Sequence, residues 1–148
     1  MHSMWFNLAA VFADQTQQLA TTLGVGWLDN PPLPLDVKSQ GDKVLFVITR
    51  GDKLVDQPGC QPERRTLRVL VGAVSLTSNA RAEADEMHFA ARDKLKSLAF
   101  RAALLTVGGA HDLREVEIEP ELRDIASPGA VLMSAYEVEY LQTYPSFA

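Results

Sequence analysis

The 148-residue chain has one cysteine, Cys60, three histidines, and no apolar run approaching the roughly 20 residues that a membrane-spanning helix needs. A lone cysteine excludes an intrachain disulfide. The absence of an HExxH stretch, and of cysteine and histidine at zinc-finger spacing, excludes the common zinc signatures. No serine lies in a GxSxG elbow, so the strand-to-helix turn that presents a hydrolase nucleophile is missing. Gly24-Val25-Gly26 lacks the third glycine and the following helix of a dinucleotide fingerprint. The start, Met1-His2-Ser3-Met4, has neither the basic region nor the apolar stretch of a signal peptide, which predicts a cytoplasmic product. Cations are too few for a grip on nucleic acid through its phosphates, since 14 Lys and Arg face 19 Asp and Glu.

What the sequence does have is enough apolar side chain, 47% of residues, for one soluble domain spanning 1–148. Its charge is unevenly spread. From His111 to Ala148, eight carboxylates stand against Arg114 and Arg123, a local net charge of −6 against −5 for the whole chain. Three cations of the remainder sit close in sequence at Arg64, Arg65 and Arg68. Such polarity suits a surface that meets another protein, or a wall that repels phosphate, better than a small-molecule pocket.

Helical spacing of Leu8, Phe12, Leu19 and Leu23, followed by Gly24, predicts a first helix from Met4 to Leu23. Asn30-Pro31-Pro32-Leu33-Pro34 then forces an extended crossing. Lys43 to Thr49 reads as a strand apolar on both faces, and Gly51 to Glu63 as a long loop, with Gly51, Asp52, Asp56, Cys60 and Glu63 as its marker residues. Arg65 to Leu76 reads as a second strand with Leu67, Val69, Val71 and Ala73 on one side and Leu70, Val74 and Leu76 on the other. Ser78 or Asn79 is the expected cap of a second helix whose stripe is Ala84, Met87, Ala91, Leu95 and Leu98, with Gly108-Gly109 ending any helical continuation through Ala102, Leu104 and Leu105. Val116 and Ile118 alternate with Glu115, Glu117 and Glu119 in a half-buried strand whose regular pairing Pro120 ends, or which Pro120 places at an edge, and Glu121 follows. The last strand, near Ala130 to Tyr144, puts Leu132, Tyr136, Val138 and Tyr140 opposite Met133, Glu137 and Glu139. The expectation is an α+β domain: a mainly antiparallel sheet of about four strands with two helices on one face.

Each candidate site has a plain alternative. His88 and His111 with Glu86 or Asp112 fall short of a metal-ligand set, and His88 reads as a helix-flank residue. Ser75, Ser78 and Ser134 show no oriented base in the sequence. Arg50-Gly51-Asp52 spells the integrin-binding tripeptide but reads as a strand end entering a turn. Tyr136 and Tyr140 read as core, with Tyr144 nearer the free end.

The helix from Ala84 to Arg92 and the closing strand from Leu132 to Tyr140, taken with the element order and chain length, resemble the tail terminator proteins of long-tailed bacteriophages of the lambda type. That resemblance implies a non-enzymatic subunit without a cofactor. It implies a ring, usually of six copies, that caps the tail tube, stops its polymerisation and presents a surface to the head-completion protein. DNA would pass through the lumen without specific binding, no membrane would be involved, and the protein would go from host cytoplasm to virion tail. In that frame Glu115, Glu117, Glu119 and Glu121 of one subunit are expected either to face Arg64, Arg65 and Arg68 of the next, or to line the lumen. The loop from Gly51 to Glu63 is the expected docking segment. Other readings are another head–tail connector or tail-completion subunit, an adaptor that dimerises through a strand edge, or a small hydrolase or isomerase using His88, His111 and Asp112.

Overall fold

The computed structural model describes residues 2–32, 40–55, 62–107, 110–118 and 129–145, with the backbone but not the side chain of His111. The elements run α1 (Met4–Leu23), β1 (Gly26–Asp29), β2 (Lys43–Leu54), β3 (Glu63–Ser75), α2 (Ala80–Leu95), α3 (Leu98–Thr106), β4 (Ala110–Val116) and β5 (Ala130–Gln142). The sheet order is β1-β2-β3-β5-β4. β1 runs parallel to β2, and the other pairs are antiparallel.

The α+β class expected from the sequence is present, but the sheet is mixed and five-stranded, and three helices pack on it rather than two. β1 escaped the reading because four residues, Gly26 to Asp29, are too short to show alternation, and a parallel pairing leaves no hairpin signal. The third helix escaped because Ser97, its N-cap, interrupts what reads as one stripe. The Ser97 hydroxyl accepts from the Phe100 amide at 3.1 Å, and a new helix starts in a new direction. Leu98, expected on the buried stripe of α2, is therefore 84% exposed at the start of α3.

Helix α1 has its expected bounds. The Ser3 hydroxyl caps it by accepting from the Phe6 amide, and Gly24 closes it at φ 69°, the left-handed conformation that glycine adopts without a Cβ penalty. The buried line, however, is Leu8, Phe12, Thr16 and Ala20, and Leu23 is exposed. Asn79 stands at the N-cap position of α2, but its side chain makes no capping bond.

One core lies between helices and sheet. Leu8 and Phe12 of α1, Met87 and Ala91 of α2 and Phe100 and Leu104 of α3 meet Leu45, Val69, Tyr136 and Tyr140, and Phe12 packs edge-on to Phe100 at 5.0 Å. Each buried Leu, Val, Met or Phe among them contributes about 1.5–3 kcal/mol. A second cluster, Val44, Phe46, Ile48, Leu70, Val74 and Ala135, occupies the other sheet face. This is why the strand from Lys43 reads as apolar on both faces.

Both ends of the loop expected from Gly51 to Glu63 belong to strands. Gly51 and Asp52 belong to β2, Glu63 opens β3, and Asp56 and Cys60 lie outside the described residues. The strand continues because the pairing slips by one residue: Thr49 opposes Val69 and Gly51 opposes Arg68, so Arg50 is an extra residue. A slip of one residue moves everything after it to the other face. Asp52 opposes Leu67 and joins the helix side, while Ile48 lies on the far side. The acidic strand is shorter than expected, since β4 stops at Val116; Glu117 and Ile118 follow it, and Glu119, Pro120 and Glu121 lie outside the described residues.

Candidate functional site

Strand alternation divides the arginine cluster. Arg64 and Arg68 project from the face away from the helices, and Arg65 from the helix face beside Leu67. Arg64 Nη2 donates to Glu139 Oε1 at 2.6 Å, and Arg68 Nη2 donates to Glu137 Oε1 at 2.5 Å. The second oxygen of Glu137 accepts from Arg114 at 3.0 Å. The register lines up Arg68, Glu137 and Arg114 across β3, β5 and β4, so one carboxylate sits between two guanidinium groups. Burial alone would raise the Glu137 pKa, but the hydrogen bonds and charges of Arg68 and Arg114 outweigh it and hold the carboxyl below its ordinary value.

On the helix face, Arg65 Nε donates to Asp52 Oδ2 at 2.9 Å and Arg65 Nη1 to Glu63 Oε1 at 3.0 Å. The hydroxyl of Tyr140 donates to Asp52 Oδ1, and that of Tyr144 to Glu63 Oε1 at 2.8 Å. Burial works against the charged guanidinium, yet the hydrogen bond and charge of Asp52 raise the Arg65 pKa overall. Burial and the bond to a carboxylate both push the Tyr140 hydroxyl upward. All three arginines thus have acidic partners within their own chain. Pairs of this exposure are worth about 0–1 kcal/mol each, which makes them poor drivers of assembly. Glu115 also has partners on its own chain, Lys96 at 3.2 Å and Arg92 at 3.4 Å on the helix side, and Glu117 is exposed beyond the strand.

Of the residues weighed for chemistry, the His111 side chain lies outside the described residues, and His88 and Asp112 have separate neighbours. His88 Nε2 lies 3.3 Å from Ser134 Oγ, which donates to the Tyr136 hydroxyl at 2.9 Å, and Ser134 is 5% exposed. Burial, then the charge of Arg92, lowers the His88 pKa against the opposing pull of Glu115 and Asp85. Asp112 stands instead on the edge strand, 3.7 Å from Arg114. The hydroxyls of Ser75 and Thr77 both donate to Glu83 Oε2, at 3.0 and 2.6 Å, tying the end of β3 to the first turn of α2. Among the described residues no three His, Cys, Asp or Glu side chains gather as a metal site requires, and no helix is long and apolar enough to cross a membrane.

Two surfaces that the sequence reading did not single out are more distinctive. α3 is apolar on its outer side as well as its inner one: Leu98 and Leu105 are 84% and 60% exposed, with Ala102 between them, while Phe100 and Leu104 are buried. Arg101 is exposed on the same outer side, so α3 carries an apolar face set around one charge. The signal was in the sequence, as Leu98, Ala102 and Leu105 repeat at helical spacing. Beside the β1 edge, a groove of about 320 Å³ runs between α1 and the sheet. Trp5, Ala9 and Ala13 line one wall at i, i+4 and i+8, and Trp27 and Thr49 contribute from the strands. The alanines leave the space that larger residues would fill. The indole nitrogens of Trp5 and Trp27 are buried and have no hydrogen-bond partner.

No protein-family model matches the chain, and the comparison with curated proteins gives no match.

Proposed function

We propose that this domain is a structural subunit that assembles with copies of itself into a ring, as a bacteriophage tail terminator does when it caps a tail tube. The observation that carries the reading is the pair of unlike, unfinished ends. Among the described residues the sheet stops at β1 on one side and at β4 on the other, with an apolar groove beside the first and an exposed apolar helix face, that of α3, on the far side of the helix layer. Exposed apolar surface of this kind marks a contact site. Two different contact sites on one subunit give head-to-tail assembly, which closes into a ring when the rotation allows.

Its partners in this reading are its own copies, a tail tube protein beneath and a head-completion protein above, with DNA passing through the lumen. Another connector or tail-completion subunit would share the ring and differ in the protein it docks on. The test is to polymerise a tail tube protein of a long-tailed phage, with and without the purified protein. Shortened tubes bearing a terminal ring in electron micrographs are the expected result. Tubes of unchanged length with bare ends would overturn the terminator reading.

A further inference from the structure

The α3 face and the α1–β1 groove complement each other in apolar character and charge. α3 presents an apolar ridge, Leu98, Ala102 and Leu105, and a single charged residue, Arg101, which is exposed. The groove is lined by two indoles and by alanines, and carries two exposed carboxylates, Asp14 and Asp29, with no cation in its lining. Arg101 and Leu105 also border the cleft between α3 and β4. The ridge therefore belongs to the β4 end of the sheet and the groove to the β1 end, and one chain cannot fill its own groove with its own ridge.

We propose that α3 of one copy seats in the α1–β1 groove of the next, with Leu98 and Leu105 against Trp5 and Trp27 and with Arg101 beside Asp14 and Asp29. The occupant is a second copy because the two halves match. A ridge paired with a ridge would set Arg101 near Arg101, and a groove paired with a groove would bring four carboxylates together, so a two-fold contact through either patch is repulsive. The unlike pairing sets opposite charges together at the rim of an apolar centre, the usual anatomy of a specific interface. The contact is the joint of the ring proposed above and rests on that reading for its closure alone.

The experiment uses the full chain in two blocked forms. The ridge is blocked by Leu98→Asp with Leu105→Glu, and the groove by Ala9→Glu with Ala13→Glu, with circular dichroism and thermal unfolding establishing that each form is folded. Both forms are expected to be monomers by sedimentation, and their mixture to give a one-to-one heterodimer and nothing larger, because each pair retains one intact ridge and one intact groove. Arg101→Glu is expected to weaken self-association of the otherwise unchanged chain by about tenfold or more, and Asp14→Arg in the same chain to restore it. A mixture that stays monomeric, or a blocked form that still self-associates, overturns the proposal. Failure of the terminator reading looks different: the heterodimer forms, yet the unmodified chain neither closes a ring nor caps a tube. Rings formed by both blocked variants would instead remove this contact and leave the ring.

Discussion

The hydroxyl of Tyr140 donates a hydrogen bond to Asp52, two strands away, because the extra residue at Arg50 turns Asp52 to the helix side of the sheet. The same carboxylate accepts from Arg65, so β2, β3 and β5 are joined by one polar cluster at the border of the core. Tyr140→Phe keeps the ring, which is fully buried, and removes the bond to a charged acceptor. The expected loss is about 1.5–3 kcal/mol in denaturant unfolding, nearer the lower figure because Asp52 is partly solvated. A double-mutant cycle with Asp52→Ala isolates the pair, and a coupling of zero would contradict the role assigned to it.

Phe46 occupies the space that a β-carbon on residue 72 would need, with the Leu132 carbonyl close on the other side. Gly72 sits in the centre of β3 opposite Phe46, and the glycine is there for the ring rather than for backbone freedom. Gly72→Val is expected to destabilise the domain by about 1–3 kcal/mol through overpacking, and Phe46→Leu in the same chain to recover part of the loss. An unchanged unfolding midpoint in Gly72→Val would show that the second sheet face is loosely filled.

Glu137, held between Arg68 and Arg114, has its folded-state pKa below the unfolded value near 4.5. The folded state then binds fewer protons than the unfolded state as the pH falls, so the stability this group contributes is full above about pH 4.5 and is lost as the pH drops through the folded pKa. Glu137→Gln is expected to be less stable at neutral pH and to show a shallower decline between pH 4.5 and acid unfolding. Parallel acid-unfolding curves for the two proteins would contradict this.

His88 gives a slope in a different window. Its folded-state pKa is lowered from 6.5, chiefly by burial, so the unfolded chain takes up the proton first. Its contribution is present above pH 6.5 and is lost as the pH falls through the folded value. Replacing it by Gln, which retains a hydrogen-bonding side chain facing Ser134, is expected to flatten stability as the pH falls below 6.5. Titration of the ring by NMR at or above its ordinary value would be incompatible with that account.

Much of the fold was legible because periodicity carries it. The bounds of α1, the two faces of β3, and the placing of Tyr136, Val138 and Tyr140 on one side of β5 follow from helical and strand spacing. The misses in the sheet share a cause, in that each depends on a pairing rather than a pattern, whereas α3 was hidden by the Ser97 cap inside an apparent single stripe. The bulge at Arg50 is visible only once β2 is set against β3, and β1 is recognisable only beside β2. The charge clusters are divided by pairing as well. Arg64, Arg65 and Arg68 are neighbours in sequence, yet alternation sends Arg65 to one face and its neighbours to the other, where β5 supplies Glu137 and Glu139 from some seventy residues away. The surfaces that carry the functional argument, the outer side of α3 and the α1–β1 groove, were written as Leu98-Ala102-Leu105 and Trp5-Ala9-Ala13. Which apolar residues a helix leaves uncovered depends on how the helices cross the sheet.

The central claim is that the domain joins to itself head to tail, and mass measured by light scattering after gel filtration, over a wide range of loading concentrations and followed by negative-stain imaging, tests it most directly. The account predicts a mass that climbs with concentration from one chain to a single closed ring and then stops. A single-chain mass at every concentration, with no ring on the grid, would contradict it.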